Sequence, residues 1–382
     1  MSRLSLDRLE RQRQSAGRLP SGRILGLPPM ARFLIRRLAL IPLTLLLVTA
    51  ALYAIVLLAP ADERAMLYFP KTNARIPESS VARIIEQIKQ EHGLEDPFPV
   101  QYARWLGNLA RGEWGWSPTL GADVLPALLV RAPATAELTM YALLILIPFG
   151  LISGVVSASR HDALTDHAFR LTAFGATSTP PFILGLLLIS VFYVAVHWFP
   201  PGRLSLVEAA VVRSPGFRVV TGMYTIDGLL NMRLDVSLDA FRHLLLPVTT
   251  LAIAHWATLG RVTRSAMIEA LNAQFTTAAR ARGLGPRAII WRHAFLNAII
   301  PGLTSSALSA ATLVTGVFVV EVVFDFNGLS ELLVHAFQSA PDAPMAVGLS
   351  VFSILLVLPI MLVLDVIQAI VDPRVREGLT GR

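Results

Sequence analysis

"LALIPLTLLLVTAALYAIVLL" (Leu38–Leu58) carries no charged residue. A helix of roughly 20 apolar residues is what the hydrocarbon core of a bilayer requires, so this stretch reads as a membrane crossing. Five more runs follow at about Leu138–Ala158, Leu171–Phe199, His243–Thr263, Ala298–Val320 and Val347–Ile370. The third is entered through "STPPFILG" (Ser178–Gly185), whose two prolines interrupt a helix. The fourth is the least apolar and contains His255 and Trp256. The chain therefore reads as all-α, a polytopic membrane protein with six transmembrane helices. Composition agrees: 54% of residues are hydrophobic and 15% charged, against about 25% charged in soluble domains.

Six spans put both ends on one side. Lys and Arg gather in the N-terminal tail, the 160–170 loop, the 261–297 loop and the C-terminal tail, whereas the other loops carry more acids than bases. The positive-inside rule then predicts cytoplasmic termini and a cytoplasmic 261–297 loop. The net charge of +7 is accounted for by this topology, with no nucleic-acid-binding module in view. Residues 1–31 are Arg-rich and interrupted by Gly and Pro, the composition of a disordered tail; "MARFLIRRL" from Met30 has the look of a natural start. Residues 32–376 form the membrane domain and 377–382 a short cytoplasmic tail. The first external loop, about 60–133, contains helical spacing over Pro77–Ala110, broken near Pro97 and Pro99. Phe326–Asp342 reads as a short interfacial or re-entrant helix. Glu137, Glu321 and Asp365 fall near span ends, where a charge either snorkels or faces protein or water; Glu321 is the candidate for lining a translocation path.

Several chemistries are absent from the sequence. There is no cysteine, hence no thiolate metal site or disulfide. The scattered histidines form no metal-binding spacing. The two lysines, Lys71 and Lys89, do not follow a glycine, so there is no phosphate-binding loop. Nothing in the sequence calls for a cofactor, a metal or catalytic residues.

The loop "TTAARARGLGPRAIIWRHAFLNAIIPGL" (Thr276–Leu303) is then the informative segment. Met267–Arg282 has helix-forming composition, Gly283 and Gly285 can end that helix, and Pro286 suits the first turn of the next. Ala278, Ala279 and Ala281 leave little side chain on part of the first helix, flanked by Arg280 and Arg282. A surface of this kind suits either contact with anionic headgroups or close approach of another protein.

"TAARARG" (Thr277–Gly283) resembles the cytoplasmic E-A-A-x-x-x-G motif of binding-protein-dependent ABC importer permeases, with Thr277 where other branches have Glu. "RHAFLNAIIP" (Arg292–Pro301) is similar to the dipeptide, oligopeptide and nickel branch. So are "HGLEDPFPVQYARWLGNLARGEWGWS" (His92–Ser117), "RAPATAEL" (Arg131–Leu138), "TPPFILGLLLI" (Thr179–Ile189), "FRHLLLPVTTLA" (Phe241–Ala252), "EVVFDFNGLSELL" (Glu321–Leu333) and "VDPRVR" (Val371–Arg376). The long first external loop resembles the first-permease type. The resemblance implies an inner-membrane permease subunit of an ATP-driven importer of peptides or similar small solutes. Its implied partners are a second permease subunit, two cytoplasmic ATPase subunits and an extracytoplasmic solute-binding protein. Thr277, Ala278, Ala279, Arg280, Gly283 and Leu284, within a coupling loop of about 264–297, would contact the ATPase. The competing reading is a self-contained ion-coupled secondary carrier, for which Pro180–Pro181 and Pro247 would mark broken helices.

Overall fold

The computed structural model describes residues 29–68, 78–338 and 342–371. Residues 1–28 of the expected 1–31 tail, the expected tail at 377–382 and most of "VDPRVR" lie outside the described residues; residues 29–31, expected in the tail, already belong to the first helix. Helix α1 is Pro29–Val56, without a charged residue from Leu38 onward. Short helices α2 (Ala61–Met66), α3 (Glu78–His92) and α4 (Phe98–Ala110) follow. A two-stranded antiparallel ribbon, β1 (Trp116–Ser117) with β2 (Ala122–Asp123), leads into α5 (Val124–Ser159). Next come α6 (Leu164–Ser178), α7 (Pro181–Ala195, its last two turns π-helical), α8 (Leu206–Val212) and α9 (Tyr224–Leu230). The remaining elements are α10 (Leu234–Asn272), α11 (Gln274–Ala281), α12 (Pro286–Val323), α13 (Leu329–Gln338) and α14 (Ala343–Val371).

Five helices, α1, α5, α10, α12 and α14, are long and apolar enough to cross a membrane, and the bent pair α6–α7 makes a sixth crossing if taken as one. The bend is 105°. Its cause is local. Pro180 supplies no N–H, and the residue before it, Thr179, is pushed out of the helical region to φ −101°, ψ 119°. Pro247, by contrast, sits inside an unbroken α10.

Helix α10 is the hub, packed against α5, α6, α7 and α12. Of its apolar stretch, 61% is buried inside the protein, against 6% for α1. The α5–α10 contact is close enough to exclude side chains. A Cβ on Gly154 would lie 2.6 Å from the Gly260 carbonyl oxygen, the small-residue packing that membrane helices use in place of a hydrophobic drive. Leu138, Leu146, Leu251, Leu259 and Leu313 fill the core between these helices.

At the periphery, α1 leans on α14 through Arg37, whose guanidinium grips both oxygens of Asp365. The external loop folds as expected from its pattern, with Pro97 ending the break between α3 and α4. Asp342 pins the ribbon to the start of α14. Its carboxylate accepts from Ser117 Oγ at 2.5 Å, from the hydroxyl and N–H of Thr119, and from Met345 N–H. Burial pushes this carboxyl up, and the hydrogen bonds from Ser117 and Thr119 outweigh it, holding the group below the usual carboxylate range.

Candidate coupling surface

The loop after α10 departs from the expected single helix over Met267–Arg282. The helix stops at Asn272; Ala273 is extended, at φ −71° and ψ 154°. A second helix, α11, then starts at Gln274. No glycine or proline marks this corner. It is held instead by Thr276, fully buried, whose hydroxyl donates to the Ala270 carbonyl at 2.7 Å while its N–H bonds to Ala273 O.

Helix α11 has two faces. Thr276 and Ala279, three residues apart, point inward, and Ala279 is only 3% exposed. Thr277, Ala278, Arg280, Ala281 and Arg282 point out. Ala279 was expected on the contact surface; the structure places it against the protein's own interior, where its small size lets α11 lie close to the start of α12. The helix ends as expected. Gly283 has φ +78°, and its N–H bonds to Arg280 O while that of Leu284 bonds to Ala279 O, a glycine-closed helix terminus. A Cβ on Gly283 would meet nothing within 4 Å, so the backbone angle, not space, calls for glycine there. Leu284 is 37% exposed beside it. Pro286 then opens α12, which passes through a π turn at Ile289–Ala294.

The unit is fixed firmly to the spans. Met267 and Ala270 of α10, Ala294 and Ala298 of α12, and Val155 and Ala158 of α5 share one buried cluster. Beside it Asp166, fully buried, accepts two 2.7 Å bonds from the Arg264 guanidinium, one from Ser157 Oγ at 2.6 Å, and one from Asp162 N–H. One carboxylate therefore ties α5, α6 and α10 together next to the loop. His161, Asp162 and Asp166 bring ligand-type atoms within 4.8 Å of one another, but both Asp166 oxygens are already taken by Arg264, so the cluster is an ion-pair anchor. The sequence reading missed this anchor and the Ala273 corner. The available signal for the first was an Asp and an Arg in the two charged stretches that flank the spans, 160–170 and 261–297, which nothing in the sequence pairs with each other.

Glu321 lies at the opposite end of α12. It is 1% exposed. Its oxygens accept from Thr135 Oγ1 and from Ser330 N–H, and Thr135 Oγ1 accepts from Leu329 N–H. The carboxylate thus caps the N-terminus of α13. A Cβ on Gly328 would sit 2.2 Å from Glu321 Oε1. Glu137 performs the parallel task for the preceding loop, accepting from Arg203 and from the N–H and hydroxyl of Thr225. Arg131 bonds Asn327 O and Glu331. The polar residues of "RAPATAEL" and "EVVFDFNGL" are fasteners between α5 and two loops.

An outward-facing small-residue helix, a buried ion-pair anchor and five helices long and apolar enough to cross a membrane, with a bent pair that makes a sixth if taken as one, describe a multi-pass membrane protein. The chain matches a family of the description "Binding-protein-dependent transport system inner membrane component" over residues 146–377, and the N-terminal model of that membrane component over residues 30–138. It belongs to that family and is a multi-pass inner-membrane permease. It is 34% identical to the di/tripeptide transport system permease protein DppB of Pseudomonas aeruginosa over 91% of this chain and 99% of that protein. It is 34% identical to the oligopeptide transport system permease protein AppB of Bacillus subtilis, again over 91% and 99%. It is 36% identical to the probable D,D-dipeptide transport system permease protein DdpB of Escherichia coli, over 77% and 85%.

Proposed function

We propose that this chain is the transmembrane permease subunit of an ATP-driven importer of peptides or similar small solutes, forming half of the translocation pathway beside a second permease. The peptide class rests on the named relatives. The α11 surface of Thr277, Ala278, Arg280, Gly283 and Leu284 receives one of two separate cytoplasmic ATPase subunits, with Ala279 as the spacer behind it. Both termini and this loop then lie in the cytoplasm, and an extracytoplasmic solute-binding protein delivers substrate from the other side. Glu321 serves the pathway from behind its wall by fixing the 324–330 turn.

The observation that carries this reading is a solvent-facing helix whose outward positions include the small Ala278 and Ala281, tied to the end of α10 by the Thr276 hydroxyl on Ala270 O, with α10 itself held to α5 and α6 by the buried Asp166–Arg264 pair. A headgroup-binding loop has no need of such rigid attachment. A lever that must move spans does. Ala278→Arg puts a long cation on the contact face without touching the core. It is expected to abolish co-purification with the ATPase subunits and ATP-dependent uptake in proteoliposomes, while the membrane fold survives. Retained ATPase binding and uptake would overturn the docking assignment. The bent α6–α7 crossing keeps one rival in play, an ion-coupled carrier. Purified alone, the chain is expected to show no uptake under an ion gradient; robust gradient-driven uptake would establish the rival.

A further inference from the structure

A cavity of about 270 Å³ lies where the segment from α2 to β1 meets the last turns of α1 and the first turns of α14. Neither the pathway nor the coupling loop uses it. Tyr53 and Val56 of α1 and Val347 and Gly348 of α14 line it, together with Arg64 of α2, Trp105 of α4 and Glu113. Its volume is below that of sites enclosing a drug-sized molecule, so it takes a small polar group.

Two charges in this cavity are unmatched. The half-buried Arg64 guanidinium donates to Ala59 O, Gln101 Oε1 and Leu94 O, at 3.2, 2.9 and 2.7 Å. All three acceptors are neutral, and no carboxylate pairs with this cation among the described residues. Glu113 is exposed, and its carboxylate has no hydrogen bond or ion pair among the described residues. The second guanidinium, Arg104, is matched by Asp96 at 2.7 Å. His92 stacks on Tyr68, ring centres 4.0 Å apart. One free cation and one free anion in a single cavity suit a zwitterion.

The place of the cavity identifies that zwitterion as a lipid head. Arg37 grips Asp365 where α1 and α14 meet. No charged residue follows Arg37 before Asp62, and none precedes Asp365 after Asp342. Tyr53 lies sixteen residues beyond Arg37, and Val347 eighteen before Asp365, about 24 and 27 Å along the two helices. A bilayer core is about 30 Å thick. With the ion pair at one edge, the cavity stands among the head groups of the other. Its rings agree with that level: Tyr53 stacks on Trp105 at 5.1 Å, and amphipathic aromatics settle at the interface. Only 6% of the apolar stretch of α1 and 22% of that of α14 are buried inside the protein, which leaves apolar surface for acyl tails directly below.

We infer that the cavity holds the phosphoethanolamine head of a membrane lipid, its phosphate on Arg64 and its ammonium on Glu113 beside the Trp105 ring. The bound head bridges α4 and α14. The inference is independent of the importer reading, since it needs only the membrane and these residues. Native mass spectrometry of the full chain released from detergent tests it. Phosphatidylethanolamine is expected to bind ahead of phosphatidylglycerol, which has the phosphate but no ammonium. Glu113→Gln breaks no bond seen in the fold. It is expected to lower the affinity for phosphatidylethanolamine about tenfold, the loss of one charge-assisted hydrogen bond, and to leave that for phosphatidylglycerol unchanged. Arg64→Gln is expected to weaken both lipids. Because Arg64 also holds three carbonyls, the Glu113→Gln result decides alone if that variant does not fold. Added phosphatidylethanolamine is further expected to raise the thermal midpoint of the wild-type chain more than that of Glu113→Gln. Equal binding of the two lipids by the wild type, or an unchanged preference in Glu113→Gln, overturns the inference. Calorimetric binding of dialanine, a zwitterion without tails, that disappears in Glu113→Gln also overturns it and assigns the cavity to free peptide.

Discussion

At the residue scale, the polar side chains near the membrane ends are committed to holding loops. Glu321 illustrates how. The carboxylate fills the place beside Gly328 where a Cβ would otherwise stand, 2.2 Å from Oε1, and from there it caps α13. Gly328→Ala must displace it, and overpacking of this kind costs about 1–3 kcal/mol. Glu321→Ala removes the cap and strands Thr135, at about 1–3 kcal/mol. The two costs share one cause, so the double variant is expected to be no less stable than Glu321→Ala alone. Unfolding midpoints of the detergent-solubilised protein, followed by tryptophan fluorescence, measure the cycle. Additive shifts would show that Gly328 is required for something other than room for the carboxylate.

At the scale of elements, what was legible in the sequence depended on which solvent each helix meets. The peripheral helices α1 and α14 face lipid and must be apolar, so Leu38–Leu58 and Val347–Ile370 were plain. Helix α10 was the least apolar run because protein covers most of it, and Arg264 is tolerated there because Asp166 neutralises it. The Pro180–Pro181 break was readable from proline's geometry. The Ala273 corner was not, since Asn272, Ala273 and Gln274 carry no breaker and the bend is enforced by a hydroxyl three residues on. The inward turn of Ala279 was hidden for the same reason: a register shift follows from the corner. Thr276→Val tests the corner. It removes the buried bond to Ala270 O at nearly constant volume, at about 1 kcal/mol, and leaves Thr277 and Ala278 in place. ATPase co-purification is expected to persist while ATP-driven uptake falls severalfold in proteoliposomes. Unchanged uptake would mean that the stiffness of the corner is irrelevant to coupling.

At the scale of the whole molecule, α10 is a single rod of 39 residues, about 58 Å long. It reaches from the coupling corner at one end to Leu234 at the other. Backbone contact with α5 at Gly154, the buried cluster shared with α12, and the Asp166–Arg264 pair stiffen it along the half that leads to the Ala273 corner. Ser205 N–H, at the start of α8, bonds Asp239 on its other half. Such a body transmits a push on α11 by tilting as one piece. The chain has no cysteine, so spin labels can be placed at Gln274→Cys on α11 and Leu206→Cys on α8 without removing native thiols. The label-to-label distance within one chain of the assembled transporter, measured by double electron–electron resonance, is expected to be the same with and without bound ATP. A shift larger than about 5 Å, one helical pitch, or a second distance population would show that the chain bends internally. The two places built for that are the Ala273 corner and the Thr179–Pro180 break, and a label moved from α8 to α7 separates them: bending at Ala273 moves both the α7 and the α8 label relative to Gln274, whereas bending at Pro180 moves only the α7 label.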